Sequence, residues 1–105
     1  MTDKLMVFVS CAGKEQAEQI AAAVITERLA ACVNVIPGIR SCYTWEGKLN
    51  WSDEVMLVAK TTRDAFPKLE KRVQELHSYD VPEIVAIPIE AGLKTYLNWV
   101  GESVG

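Results

Sequence analysis

The sequence predicts an α+β fold in the order β-α-β-β-α-β with a further helix at the C-terminus. Three observations carry this. Two amphipathic helical stripes stand apart in the chain, a long β-branched stretch between them folds back at residues 45–48, and two short apolar runs of strand length occupy residues 5–10 and 84–87.

Residues 5–10 are mostly apolar, as expected of a strand covered on both faces. From Lys14 to about Ala31 the apolar positions Ala17, Ile20, Ala21, Val24 and Leu29 recur at helical spacing, with Glu15, Glu18 and Arg28 elsewhere on the wheel. Residues 32–43 are rich in β-branched side chains but carry Pro37 and Gly38, which a central strand would not hold because proline has no N–H for the ladder. An edge strand with a bend fits. Residues 49–60 form the next strand, ending in the run VMLVA. Asp64 is placed to cap a second helix whose stripe is Phe66, Leu69, Val73 and Leu76, with Pro67 tolerated in the first turn. A loop over residues 77–82 leads to the last strand, and Gly92 precedes a helix carrying Leu93, Tyr96, Leu97 and Val100. This order is that of a ferredoxin-like sandwich, with strands one and three central and two and four flanking, an extended β2-β3 hairpin and a C-terminal helix.

The hairpin, roughly residues 39–55, has its own logic. Glu46 resists the positive φ of a two-residue type I′ loop, so a three-residue loop with Gly47 in the left-handed position is expected. That register sets Tyr43 against Leu49 and Ser41 against Trp51, and gathers Ile39, Tyr43, Leu49 and Trp51 on one face. The ribbon then outruns the helices by roughly 15 Å. An exposed apolar ribbon with a free edge marks an association surface, and assembly with identical chains removes both liabilities. The alternative is a ribbon curled over its own domain.

Composition narrows the partners. The chain has 105 residues, half of them hydrophobic, enough for one domain over residues 1–105 with a core that needs no staple. A net charge of −3 without a Lys/Arg run argues against nucleic acid and anionic membrane as main partners. Cys11, Cys32 and Cys42 are an odd number without a CxxC pair, which suits a reducing compartment better than a disulfide framework. No apolar run approaches a membrane span, and the first residues lack a cleavage pattern, so a cytoplasmic, complete chain is expected.

The chemistry-bearing residues are few. In this topology the loop after strand one and the loop after helix two lie at the same end, which brings Cys11 and His77, the lone histidine, toward each other. A helix N-terminus after Cys11 favours thiolate, and thiolate with imidazole suits copper or zinc. Asp80 and Glu83 offer oxygen donors nearby. The plainer alternatives are a small buried cysteine and a histidine making a favourable dipole contact at a helix end. Two ligands are fewer than a closed structural site needs, so a bound ion is exchangeable. A nucleophile and base pair lacks an orienting third residue, and none of the common catalytic motifs occurs, so no enzymatic activity is expected. Lys60, with Thr61 and Thr62, reads as a solvated strand end that is able to meet an anion. The fold's RNA-binding, copper-chaperone and acylphosphatase versions are set aside for want of central aromatics, a CxxC loop and a glycine-rich arginine loop.

Across nearly its whole length the sequence resembles the CutA family of divalent-cation tolerance proteins. The likeness rests on LAACVNVIPGI over residues 29–39, YTWEGK over 43–48, Glu54 with Lys60 and Thr61, HSYDVPEI over 77–84 and YLNW over 96–99. It implies very stable homotrimers of ferredoxin-like subunits, copper(II) or another divalent cation as an exchangeable ligand, and a role in divalent-cation tolerance or homeostasis. By the same resemblance the metal ligands fall on Cys11 and His77. A family histidine just before the latter is Leu76 here, and the proline after it is Ser78. The trimer resembles that of PII signalling proteins, which implies as an alternative a regulatory module binding a small metabolite or partner protein between subunits, near Tyr79, Glu83 and Lys60.

Overall fold

The computed structural model describes residues 2–105. Its elements are β1 (Lys4–Cys11), α1 (Lys14–Thr26), β2 (Cys32–Trp45), β3 (Lys48–Thr62), α2 (Phe66–Leu76), β4 (Ile84–Pro88) and α3 (Lys94–Ser103). They build a four-stranded antiparallel sheet in the order β2-β3-β1-β4, so β1 and β3 are central as the sequence predicts. Leu5, Val7 and Val9 alternate onto one face of β1, where they pack with Ala17, Ile20 and Val24 of α1 and Leu69 and Val73 of α2. The other face carries α3, anchored by the fully buried Val100. It leaves Val85 and Ile87 of β4 half exposed, with Tyr96 and Trp99 of α3.

Two helix boundaries differ from the sequence expectation for local reasons. Helix α1 stops at Thr26 because Arg28 adopts the left-handed conformation, φ 59°. The Arg28 N–H then donates to the Ile25 carbonyl and the Leu29 N–H to the Val24 carbonyl, the bonding pattern of a Schellman cap with arginine where glycine is usual. Asp64 does not cap α2. The N-cap is Ala65, and its N–H donates to the Thr62 hydroxyl, so a threonine turn orders the entry instead.

Strand β2 is an edge, and its Pro37-Gly38 pair sits in a bulge between Ile36 and Ile39, with Gly38 at φ 79°. The hairpin loop corrects the sequence reading. Glu46 and Gly47 both have positive φ, 52° and 78°, so the loop is a two-residue type I′ turn with Trp45 paired to Lys48. The strain of one left-handed glutamate, about 1–2 kcal/mol, is outweighed by a turn whose twist matches the ribbon. Added to it are a Tyr43 to Ser52 hydroxyl hydrogen bond of 2.6 Å and Arg40 lying 4.9 Å over the Trp51 ring.

The one-residue change of register re-sorts the side chains. Tyr43 now opposes Asn50, and Ile39 opposes Glu54; Trp51 opposes Cys42, and Leu49 opposes Thr44. Ile39 and Tyr43 therefore share one face, and Leu49 and Trp51 stand on the other. The ribbon is apolar on both sides, with Leu49 71 % and Trp51 58 % exposed. It is also longer than expected: β1 ends opposite Val55, so residues 48–54 of β3 have only β2 beside them, roughly 23 Å of two-stranded ribbon.

Replacing Glu46 by asparagine, which tolerates the left-handed region, should stabilise the fold by roughly 0.4–1 kcal/mol. Thermal or denaturant unfolding of Glu46→Asn reads this directly, and a lower midpoint would contradict the turn assignment.

Candidate functional site

Where β1 stops, the chain opens a cleft of about 640 Å³. Ser10 comes from the end of β1, Glu54 from β3, Tyr43 and Trp45 from β2, and Tyr79, Asp80 and Glu83 from the segment joining α2 to β4. The cleft is on the face of the sheet that alternation assigns to Ser10, opposite the α1 and α2 layer.

His77 fixes that joining segment. Its Nε2 donates to the Ser10 carbonyl at 2.7 Å, and its Nδ1 accepts the Tyr79 N–H at 3.1 Å. A backbone carbonyl only accepts and an amide N–H only donates, so the network sets the tautomer with the proton on Nε2. The ring also packs on Tyr79, centroids 4.8 Å apart. The phenol then donates to Glu54 Oε2 at 2.9 Å, and the Ser10 hydroxyl donates to Glu83 Oε1 at 3.3 Å. Burial, and after it the hydrogen bond to Glu54, pushes the Tyr79 phenol up to about 12, so it stays a donor.

Cys11 lies elsewhere. It is fully buried in the core between sheet and helices, on the opposite face of β1 from Ser10. Burial, helped by the charge of Glu54, pushes its thiol up to about 11. The expected thiolate at a helix N-terminus is thus reversed. Cys11 is inside a strand, the cap of α1 is Gly13, and desolvation dominates. His77 does reach the end of β1, but both ring nitrogens are committed to backbone groups. The Cys11 and His77 side chains do not fit a copper centre in this geometry. Among the described residues no group of three His, Cys, Asp or Glu is placed to hold a metal ion.

Of the other candidates, Tyr79, Asp80 and Glu83 line the cleft, whereas Lys60 does not. It is six residues along β3 from Glu54, about 20 Å away, where its amine donates to Asn34 Oδ1 across the strand pair. Glu54, Ser10 and Trp45 had no assigned role in the sequence reading. The signal for Glu54 was available: an acidic residue directly preceding the most apolar run of a strand is one whose burial needs explaining.

Fold and cleft together define a small ferredoxin-like protein with an acid-lined pocket at the root of a projecting hairpin. The model of the CutA1 divalent ion tolerance protein family matches residues 5–103, and the chain belongs to that family. It is 49 % identical to the divalent-cation tolerance protein CutA of Thermus thermophilus over 100 residues, 95 % of this chain and 97 % of that one. It is 42 % identical to the chloroplastic protein CutA 1 of Oryza sativa, covering 94 % of this chain but 56 % of that one, so it spans about half of this plant relative. The solved structure of the Thermus thermophilus divalent cation tolerance protein superposes with a TM-score of 0.95 at 48 % identity, covering 97 % of this chain and 99 % of the other.

The Cys11 thiol gives a pH prediction. Its folded value of about 11 exceeds its ordinary 9.0, so the folded state holds this proton more tightly. The stabilisation is complete below about pH 9 and is lost as pH rises toward 11. Cys11→Ala should flatten that alkaline decline in stability. Native-state alkylation at pH 8, read by peptide mass spectrometry, should modify Cys11 about 100-fold more slowly than in denatured protein.

Proposed function

We propose that this protein is a homotrimeric divalent-cation-binding protein acting in cation tolerance, and that the cation is held exchangeably at the Glu54 cleft. The observation that carries the reading is Glu54 itself. It is only 8 % exposed, borders the cleft, and among the described residues forms no ion pair with a lysine or arginine; nor do Asp80 and Glu83. A buried carboxylate such as Glu54 without a cationic partner is costly, and a divalent ion offsets that cost, with the exposed Asp80 and Glu83 as further oxygen donors at the cleft rim. Oxygen donors suit hard and borderline ions, among which copper(II) remains the leading candidate through the family resemblance.

Assembly belongs to the same reading. A ribbon apolar on both faces needs a neighbour on each side, and a closed ring provides each protomer with two where a dimer provides one. A neighbouring subunit then closes the open side of the cleft and completes the coordination that one chain lacks. Light scattering should give three times 11.6 kDa, and Trp51→Glu should shift the protein toward monomer.

Copper(II) titration should show binding lost or weakened at least tenfold in a Glu54→Gln, Glu83→Gln double variant and kept in Cys11→Ser. Loss in Cys11→Ser with full retention in the carboxylate variant would return the site to the thiol. The PII-like regulatory reading draws on the cleft's volume, which falls within the roughly 300–1,000 Å³ range of small-molecule pockets. A metabolite that raises the melting temperature of metal-free protein, with the shift kept in Cys11→Ser, would favour it.

A further inference from the structure

Helix α3 is held to the sheet by little. Of its ten residues only Val100 is buried, whereas α1 buries Ala17, Ile20 and Val24. No side chain caps its start, and its last turn has no basic residue of its own to meet the free carbonyls there. Those carbonyls are met from another element. Arg28, just past α1, donates from Nη2 to the Glu102 carbonyl at 3.1 Å and from Nε to the Ser103 carbonyl at 3.3 Å. Its own carbonyl accepts the Gly105 N–H at 2.9 Å.

On backbone grounds arginine is a poor choice for this position. At φ 59° it takes the left-handed conformation that glycine adopts freely and a residue with a Cβ resists. Among the described residues Arg28 forms no ion pair, and the adjacent Glu27 carboxylate is taken by Arg72. What its side chain does in the fold is grip α3. The helix lies close on β1, since a Cβ on Gly101 would stand 3.3 Å from Lys4 Cε. Cys32 pairs with Lys60 and Lys60 with Met6, and alternation puts these three on the α3 face of the sheet, opposite Leu5 and Val7. Burial, and after it the Cys32 thiol, raises the Tyr96 phenol above its ordinary value, which agrees with Tyr96 of α3 lying near Cys32.

We propose that α3 is a strap that opens from the sheet as a unit, that Arg28 locks it shut at its C-terminal end, and that its opening controls access to the Cys32 thiol. Segments with few buried apolar contacts open locally at far lower cost than the whole domain. Closed, the strap covers the row from Cys32 to Met6 and presents Tyr96 and Trp99, packed at 5.7 Å, on the outside. Arginine at a glycine position gives up ease at the end of α1 for a hold on α3.

The test is Arg28→Gly in the full chain, read by hydrogen exchange and by cysteine alkylation at pH 8, both with peptide mass spectrometry. Glycine suits this φ, so the end of α1 keeps its turn and only the grip on α3 is lost. The expected result is exchange about fivefold faster over residues 97–103, with residues 14–26 unchanged or slower. Alkylation of Cys32 should speed up by the same factor. Cys42, exposed on the ribbon, reports the reagent, and Cys11, buried in the core, reports global opening; neither rate should change. Exchange in α3 that is unchanged or slower overturns the lock. Cys32 alkylation that does not follow α3 exchange overturns the gate, and equal acceleration at Cys11 and Cys32 means whole-domain loosening and overturns both.

Discussion

The arrangement depends on one mismatch of length: β1 stops at Cys11 while β3 runs on past it, from Val55 back to Lys48. Where three strands lie side by side, the sheet has helices to cover it and a conventional core. Beyond that point only β2 remains, and the two strands leave as a ribbon with backbone groups and apolar side chains facing solvent. The same termination opens the sheet surface beside Ser10 and Glu54, and the α2–β4 segment folds over the gap. Arm and pocket are therefore two results of one shortfall in strand pairing.

His77 shows how a residue can matter to a site without entering it. Its two ring nitrogens join the last residues of β1 to the backbone at Tyr79. Tyr79 in turn sets the orientation of Glu54. The only histidine of the chain acts as a clasp between strand and loop. The polar atoms that border the cleft lie one step further out, on the phenol and the carboxylates. A free thiol on the far side of the same strand contributes packing and a high pKa.

The fold was legible because its signals are periodic. The stripes of α1 and α2, the proline that sends β2 to an edge and the apolar runs of β1 and β4 each depend on spacing along the chain, which a sequence displays. The misreadings fall where spacing does not decide. Glu46 in a left-handed turn, Arg28 at a glycine's position and the threonine turn before α2 are local conformations imposed by the strands and helices they connect. Cys11 and His77 were read to the correct end of the molecule from topology. Which face of β1 the thiol takes, and what already occupies the imidazole nitrogens, are properties of packing. Glu54 was passed over because alternation along β3 puts it on the face away from α1 and α2, and only the folding of the α2–β4 segment over that face, with Tyr79 on its carboxylate, buries it.

That turn also sets a rule of parity for the arm. Because the Glu46-Gly47 loop is closed by a directly paired Trp45 and Lys48, the ribbon can grow or shrink only by matched changes in both strands. One added residue per strand moves the tip by about 3.3 Å and exchanges the two faces of everything beyond it; two per strand restore them. Reach and facing are thus quantised together. An arm of this kind can be lengthened in even steps with its facing kept, whereas an unmatched insertion has to be absorbed as a bulge, as β2 already does at Pro37 and Gly38.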